Sequence, residues 1–164
     1  MSIILSVIFV LSLVGIDQII KYFVIEYLKP LGVAEFIEGF IRFRYVENTG
    51  AVFGSFSTHT ALLTAISIIL LGVTIYFLVS QKNKSKLVTF TLLLMIAGGI
   101  GNIIERISLH YVVDYIEPTF INFAVFNFAD CLITVCAFVL MIYLIVDIIK
   151  DSKNSKSVKV CFNT

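Results

Sequence analysis

Charge is scarce in this chain. Only 14% of its 164 residues are Asp, Glu, Lys or Arg, and 12 basic against 11 acidic residues leave a net charge of +1. Soluble domains carry about a quarter charged residues. No basic field is available for a nucleic acid, and no basic–aromatic RNA motif appears. Cysteine is equally sparse: Cys131 and Cys136 lie in an apolar run and Cys161 near the end, without a CxxC. That excludes a disulfide framework and a zinc site, and implies free thiols. His59 and His110 stand far apart without a ligand partner, so no metal centre is expected. GxSxG and HExxH are missing, and "GGIGN" at 98–102 lacks the strand-to-helix context of a phosphate loop. No cofactor is expected.

What the chain has in abundance is apolar surface. Its residues are 59% hydrophobic, with a mean hydropathy of +1.03. A soluble fold of this length could not bury so much. The sequence therefore predicts an all-α membrane protein with four transmembrane helices. Spanning a bilayer takes roughly 20 apolar residues, and four windows qualify, at about 3–25, 60–80, 87–105 and 127–149. The first resembles a signal peptide but lacks a basic start and runs into "DQIIK", so it reads as a retained span. The third is interrupted by glycines, which let helix backbones approach closely.

Three connections separate these spans. "QKNKSK" (81–86) is a short basic hairpin, and residues 106–126 form a medium loop. The longest connection contains "GFIRFRYV", where Ile41, Phe43 and Tyr45 alternate with Arg42 and Arg44. That period of two predicts a small sheet within about 34–58, lying at the membrane surface. Residues 151–164 are polar and expected to be a disordered tail. Lys82, Lys84, Lys86, Lys150, Lys153, Lys156 and Lys159 share one side of a four-span chain. Lys21, Lys29, Arg42, Arg44 and Arg106 share the other. This bias favours cytoplasmic termini.

The polar residues in or beside the spans fall in a pattern. Asp17 and Lys21 end the first span, and "ENTGAVFG" (47–54) precedes the second. Asn102, Glu105 and Arg106 end the third, and Asn127 and Asp130 begin the fourth. In an up-down-up-down chain all of these face one side, which the charge bias makes the outer one. Ionisable groups in spans are costly and usually functional. Each also has an ordinary reading: Asp17–Lys21 as a helical ion pair, Arg106 as a residue reaching headgroups beside Glu105, "NTG" as a turn. Asp130 suits a helix start, and Asp114 in "YVVDYI" suits a loop. Placed together, two carboxylates would share a proton and activate a water for peptide hydrolysis. Spacing alone leaves open whether they meet.

Five short motifs in order, "DQIIK" (17–21), "NTGAVFG" (48–54), "GGIGNIIER" (98–106), "VVDY" (112–115) and "FNFAD" (126–130), resemble those of the lipoprotein signal peptidases, or type II signal peptidases, of bacteria. The resemblance covers nearly the whole chain. It implies four transmembrane helices and an extracytoplasmic β-cradle in the bacterial cytoplasmic membrane. It also implies removal of the signal peptide from diacylglyceryl-modified prolipoproteins, just before the lipidated cysteine. On that basis Asp114 and Asp130 are the expected catalytic dyad. Asp17, Lys21, Asn48, Gly50, Gly98, Asn102, Arg106, Phe126, Asn127 and Ala129 are expected to bind substrate or support the site, with Asn102, Arg106 and Asn127 as direct ligands. Partners are the precursor signal peptide and membrane lipid, with no nucleic acid. Two positions depart from the pattern: Glu105 stands where Asp is usual, and His110 where Gly is common.

Two other classes remain. A proton-coupled transporter would distribute its ionisable residues through the membrane depth, whereas these gather at one face. A non-catalytic membrane subunit would need its polar residues for helix packing and would not require Asp114.

Overall fold

The computed structural model describes residues 2–50, 60–80 and 85–161, with 151–161 described by backbone alone. Four long helices are apolar enough to cross a membrane, and a small antiparallel sheet sits at one end of them. Helix α1 (Ile3–Phe23) starts at Ser2, whose hydroxyl accepts from the Leu5 amide. It continues through a π-helical turn, Val24–Leu28, and a closing turn, Lys29–Leu31, and ends at Gly32, whose φ of 75° suits glycine. Strands β1 (Val33–Ile37) and β2 (Ile41–Asn48) form a hairpin, and helix α2 spans Thr60–Ser80. Helix α3 (Lys86–Ser108) starts at Ser85, which caps it through the Val88 amide. Strand β3 (Val112–Pro118) precedes α4 (Phe128–Cys161).

Helix α3 is the centre of the bundle, packing against α1, α2 and α4. Its inner face explains why. Leu92, Leu93, Ile96, Ala97, Gly98 and Gly101 are buried, and Val10 and Val14 of α1 close on Leu93, Ile96 and Ala97. Two glycines set the spacing. A Cβ on Gly98 would lie 2.5 Å from the Ala129 carbonyl oxygen, and one on Gly101 would lie 2.5 Å from Asp17 Oδ2. The glycines that dilute the third span's hydropathy thus bring its neighbours close. Large apolar side chains of α1, α2 and α4 point outward, including Leu11, Ile69, Tyr76, Phe138 and Ile145, as expected for helices solvated by lipid.

The sheet has the order β1-β2-β3. The alternation at 41–45 does mark a strand, β2. The loop expected over 106–126 is only partly a loop, because Val112–Pro118 pairs antiparallel with β2, setting Asp114 opposite Val46 and Val112 opposite Asn48. The physical reason is burial: Val112, Val113 and Tyr115 are all enclosed, against Val24 and Leu28 of the π-turn in the case of Val113 and Tyr115. Such a continuously buried run, Asp114 included, lacks the alternation of a half-exposed strand. At the other end, α4 continues to Cys161 where a disordered tail was expected after residue 150. Residues 151–161 contain neither proline nor glycine to stop it.

Candidate functional site

The polar ends of α1, α3, β3 and α4 meet in one buried network. Lys21 lies one turn after Asp17 on α1, and both side chains are almost wholly enclosed. The Lys21 ammonium pairs with Asp17 Oδ2 at 3.0 Å and Glu105 Oε2 at 2.6 Å, and donates to Asn102 Oδ1 at 3.1 Å. All three of its donors are thereby used. Glu105 therefore serves Lys21 rather than its neighbour Arg106. Its Oε2 also accepts from the Val113 amide at 3.2 Å, which ties α3 to the residue just before Asp114. An ion in such a site needs both a partner and further hydrogen bonds to offset desolvation, and Lys21 and Glu105 have both.

Asn102 passes this order on toward α4. Its amide nitrogen donates to Asp130 Oδ1 at 2.8 Å, and its oxygen accepts from Lys21 and from Asn127 Nδ2. Asn127 is the N-cap of α4. Its Oδ1 accepts from the Asp130 amide at 2.9 Å, while Asp130 Oδ2 accepts from the Asn127 amide at 3.2 Å. This reciprocal arrangement is a capping box with Asn and Asp in place of the usual Ser/Thr and Glu. Asp130 is thus fixed by its own helix start and by Asn102.

Asp114 arrives from the sheet. Its Oδ1 accepts from Asn127 Nδ2 and its Oδ2 from Asn48 Nδ2, each at 2.7 Å. Asn48 is in turn oriented by the Gly50 amide, which donates to its Oδ1 at 3.0 Å. Asn127 consequently contacts both carboxylates, with its side chain on Asp114 and its main chain on Asp130. Burial pushes the Asp114 carboxyl up to about 7, and the negative charge of Asp130 adds to the effect. The bonds from Asn48 and Asn127 and the charge of Lys21 oppose it. Asp114 is 1% exposed and Asp130 only half-buried, so any approach to the pair is past Asp130.

The other anticipated residues have clear places. Phe126 acts through its backbone, exchanging hydrogen bonds with Ile116 and accepting from Tyr115, which pins the start of α4 to β3. Ala129 is fully buried against Gly98. Arg106 is half-buried, and its acidic neighbours by electrostatic weight are Asp130, Asp114 and then Glu105. It makes no hydrogen bond or ion pair among the described residues. Asn102 and Asn127, expected as direct ligands, have their side-chain amides engaged within the protein. Residues 51–54 of "NTGAVFG" lie outside the described residues.

Sequence reasoning missed three contributors. Tyr115 accepts from the Phe128 amide at 3.3 Å, steadying the first turn of α4. Gln18 bridges Asp17 and the Gly101 carbonyl. Gly101 makes room for Asp17, and its spacing of four from the small residue Ala97 was the available signal.

Fold and site together define a multi-pass membrane protein whose polar centre lies where three helix ends meet a small sheet. The family model described as Signal peptidase (SPase) II matches residues 9–146. The chain belongs to the signal peptidase II family. It is 35% identical over 135 residues to the lipoprotein signal peptidase of Streptococcus thermophilus (strain CNRZ 1066), covering 82% of this chain and 88% of that one. Its identity to the protein of the same name in Streptococcus agalactiae serotype V is 38% over 132 residues, covering 80% and 86%. It also resembles a bacterial membrane enzyme solved by the in meso method at 2.3 Å resolution. That likeness has a TM-score of 0.80 at 28% identity, covering 88% of this chain and 90% of the other.

Proposed function

We propose that this chain is an aspartic endopeptidase that removes the signal peptide from diacylglyceryl-modified prolipoproteins, cutting just before the lipidated cysteine. Residues 1–150 act as one peptidase domain, with both termini in the cytoplasm and the site near the outer membrane face. The observation that supports this best is the convergence of Asp114 and Asp130 on Asn127, with the Asp114 carboxyl raised to about 7. Such a pair holds one proton between two carboxyl groups at neutral pH.

The ionised member takes a proton from water as the water oxygen bonds to the scissile carbonyl carbon. The protonated member donates to the carbonyl oxygen. When the tetrahedral intermediate collapses, the carbon–nitrogen bond breaks and the leaving nitrogen takes a proton from the pair. The products are a signal peptide ending in a carboxylate and a lipidated cysteine with a free amine. Asn127, Asn102 and Asn48 hold the carboxylates in place, while Arg106 is available to bind a substrate carbonyl. Lys21, Asp17 and Glu105 support them, and Gly98, Gly50, Phe126 and Ala129 shape the surrounding backbone.

The test is cleavage of a diacylated prolipoprotein by the purified protein and by Asp114→Asn and Asp130→Asn, which keep size but lose acid–base function. Each variant is expected to be slower by about 10²–10⁴-fold. Cleavage by either at the unmutated rate overturns the dyad. Orientation is tested with a cysteine placed at residue 119, which an impermeant thiol reagent added to intact cells should label. Labelling only after permeabilisation overturns it.

A further inference from the structure

A groove of about 470 Å³ opens between α2 and α4 with α3 as its floor, at the opposite end of the bundle from Asp130. Its walls are mostly apolar, from Phe77 on α2, Val88 and Met95 on α3, and Leu140 and Leu144 on α4. Asp147 is the charged residue among those lining it. The side chain is exposed and forms no ion pair among the described residues. Lys150, one turn further on, shares a neighbouring shallow surface with Asp147, Leu87, Val139 and Val146 but forms no ion pair with it. An acid in the last turn of a span, beside an apolar groove and without an ion-pair partner among the described residues, is placed to receive a cation.

Resting on the peptidase reading above, we infer that this groove seats the apolar helix of the substrate's signal peptide and that Asp147 pairs with its basic amino-terminal segment. Charge and length both favour that occupant. Signal peptides carry a positive amino-terminal region, then about 7–15 apolar residues, then a small-residue cleavage site. Asp130 and Asp147 are 17 residues apart on α4, about 26 Å along the axis at 1.5 Å per residue. An apolar segment of about 15 residues spans about 22 Å as a helix, and the few residues before the scissile bond make up the rest. A peptide with its cleavage site at the acid pair therefore brings its first basic residues level with Asp147. Leu140 and Leu144, lying between the two acids on α4, are apolar along this track.

The experiment pairs enzyme and substrate charge. Cleavage is measured for unmutated protein, Asp147→Asn and Asp147→Lys in vesicles, each against a diacylated precursor with a basic or an acidic amino-terminal region. With the basic precursor, both variants are expected to raise KM about two- to fivefold while leaving kcat nearly unchanged, the range of a partly exposed ion pair. With the acidic precursor, Asp147→Lys is expected to outperform the unmutated protein, a reversal that misfolding cannot produce. Equal KM for all pairings overturns the groove inference, and a phospholipid copurifying in the groove would then identify it as a lipid site. If the unmutated protein cleaves no precursor at all, it is the peptidase reading that fails.

Discussion

Gly98→Ala is a small change with an outsized expected effect. The added Cβ would lie 2.5 Å from the Ala129 carbonyl oxygen, 3.0 Å from Ile133 Cγ1 and 3.3 Å from Leu132 Cβ. Real carbon–oxygen contacts stay above about 3 Å, and the obstructing atom is backbone, so no side-chain rotation relieves the clash. The start of α4 must move by a few tenths of an ångström or more. That start carries Asn127 and Asp130, whose bonds to Asn102 and Asp114 are 2.7–3.1 Å long. Overpacking of this kind costs about 1–3 kcal/mol, and displacement of a catalytic group by up to about 1 Å costs up to about 10²-fold in rate. Gly99→Ala is the control. Its Cβ would meet only Leu71 Cδ1 at 3.6 Å, an ordinary contact, and replacing a helical glycine by alanine stabilises by about 0.5–1 kcal/mol. Precursor cleavage and denaturant midpoints in detergent should therefore move in opposite directions for the two neighbours. Equal behaviour, or an unimpaired Gly98→Ala, would refute the claim that the α3–α4 spacing positions Asp130.

Lys21→Met should destabilise by about 3–5 kcal/mol, because it strands Asp17 and Glu105 as buried carboxylates. Chemical denaturation is the check, and Lys21→Met with Glu105→Gln should recover part of the loss. Asp114, with its carboxyl raised to about 7, binds its proton more tightly folded than unfolded. Its contribution to stability is therefore full below pH ~4 and is lost as pH rises toward 7. Asp114→Asn should flatten stability across that window, and precursor cleavage by the unmutated protein should decline above pH ~7 as the shared proton leaves. His110 has a φ of 66°, in the left-handed region, which glycine adopts at less cost. His110→Gly should preserve or raise the melting temperature, whereas His110→Val should cost about 1–2 kcal/mol.

Much of this architecture was legible because hydropathy is a strong signal and topology is a strict constraint. The four spans emerged from window length. An alternating chain then forced Asp17, Lys21, Asn102, Glu105, Asn127 and Asp130 to one end, and their hydrogen bonds agree. What escaped notice depends on contacts between distant segments. Strand β3 has no period of two because Val112–Tyr115 are buried on every side. Glu105 sits beside Arg106 in sequence yet pairs with Lys21, because adjacent helical residues point about 100° apart while Lys21 faces it from another helix. The π-turn at Val24–Leu28 left no mark that a propensity argument could read.

Helix cap and proposed catalytic acid are compatible readings of Asp130, because different atoms of the residue serve each. Its backbone amide and Oδ2 close the capping box with Asn127, which leaves Oδ1 to Asn102. The same Asn127 extends its other amide hydrogens to Asp114 and Asn102. Capping is therefore how the proposed dyad is aligned: the first turn of α4 cannot form without placing Asp130 against the residue that holds Asp114. Asn127→Asp tests that coupling. It keeps a capping oxygen, so the helix start should survive. The variant removes both amide donors, however, and adds a third carboxyl beside Asp114 and Asp130. The cleavage rate should fall by about 10²-fold or more, with loss of stability limited to about 1–3 kcal/mol from the unpaired acceptors. If the rate holds while the melting point drops, Asn127 serves only the helix and the alignment argument is wrong.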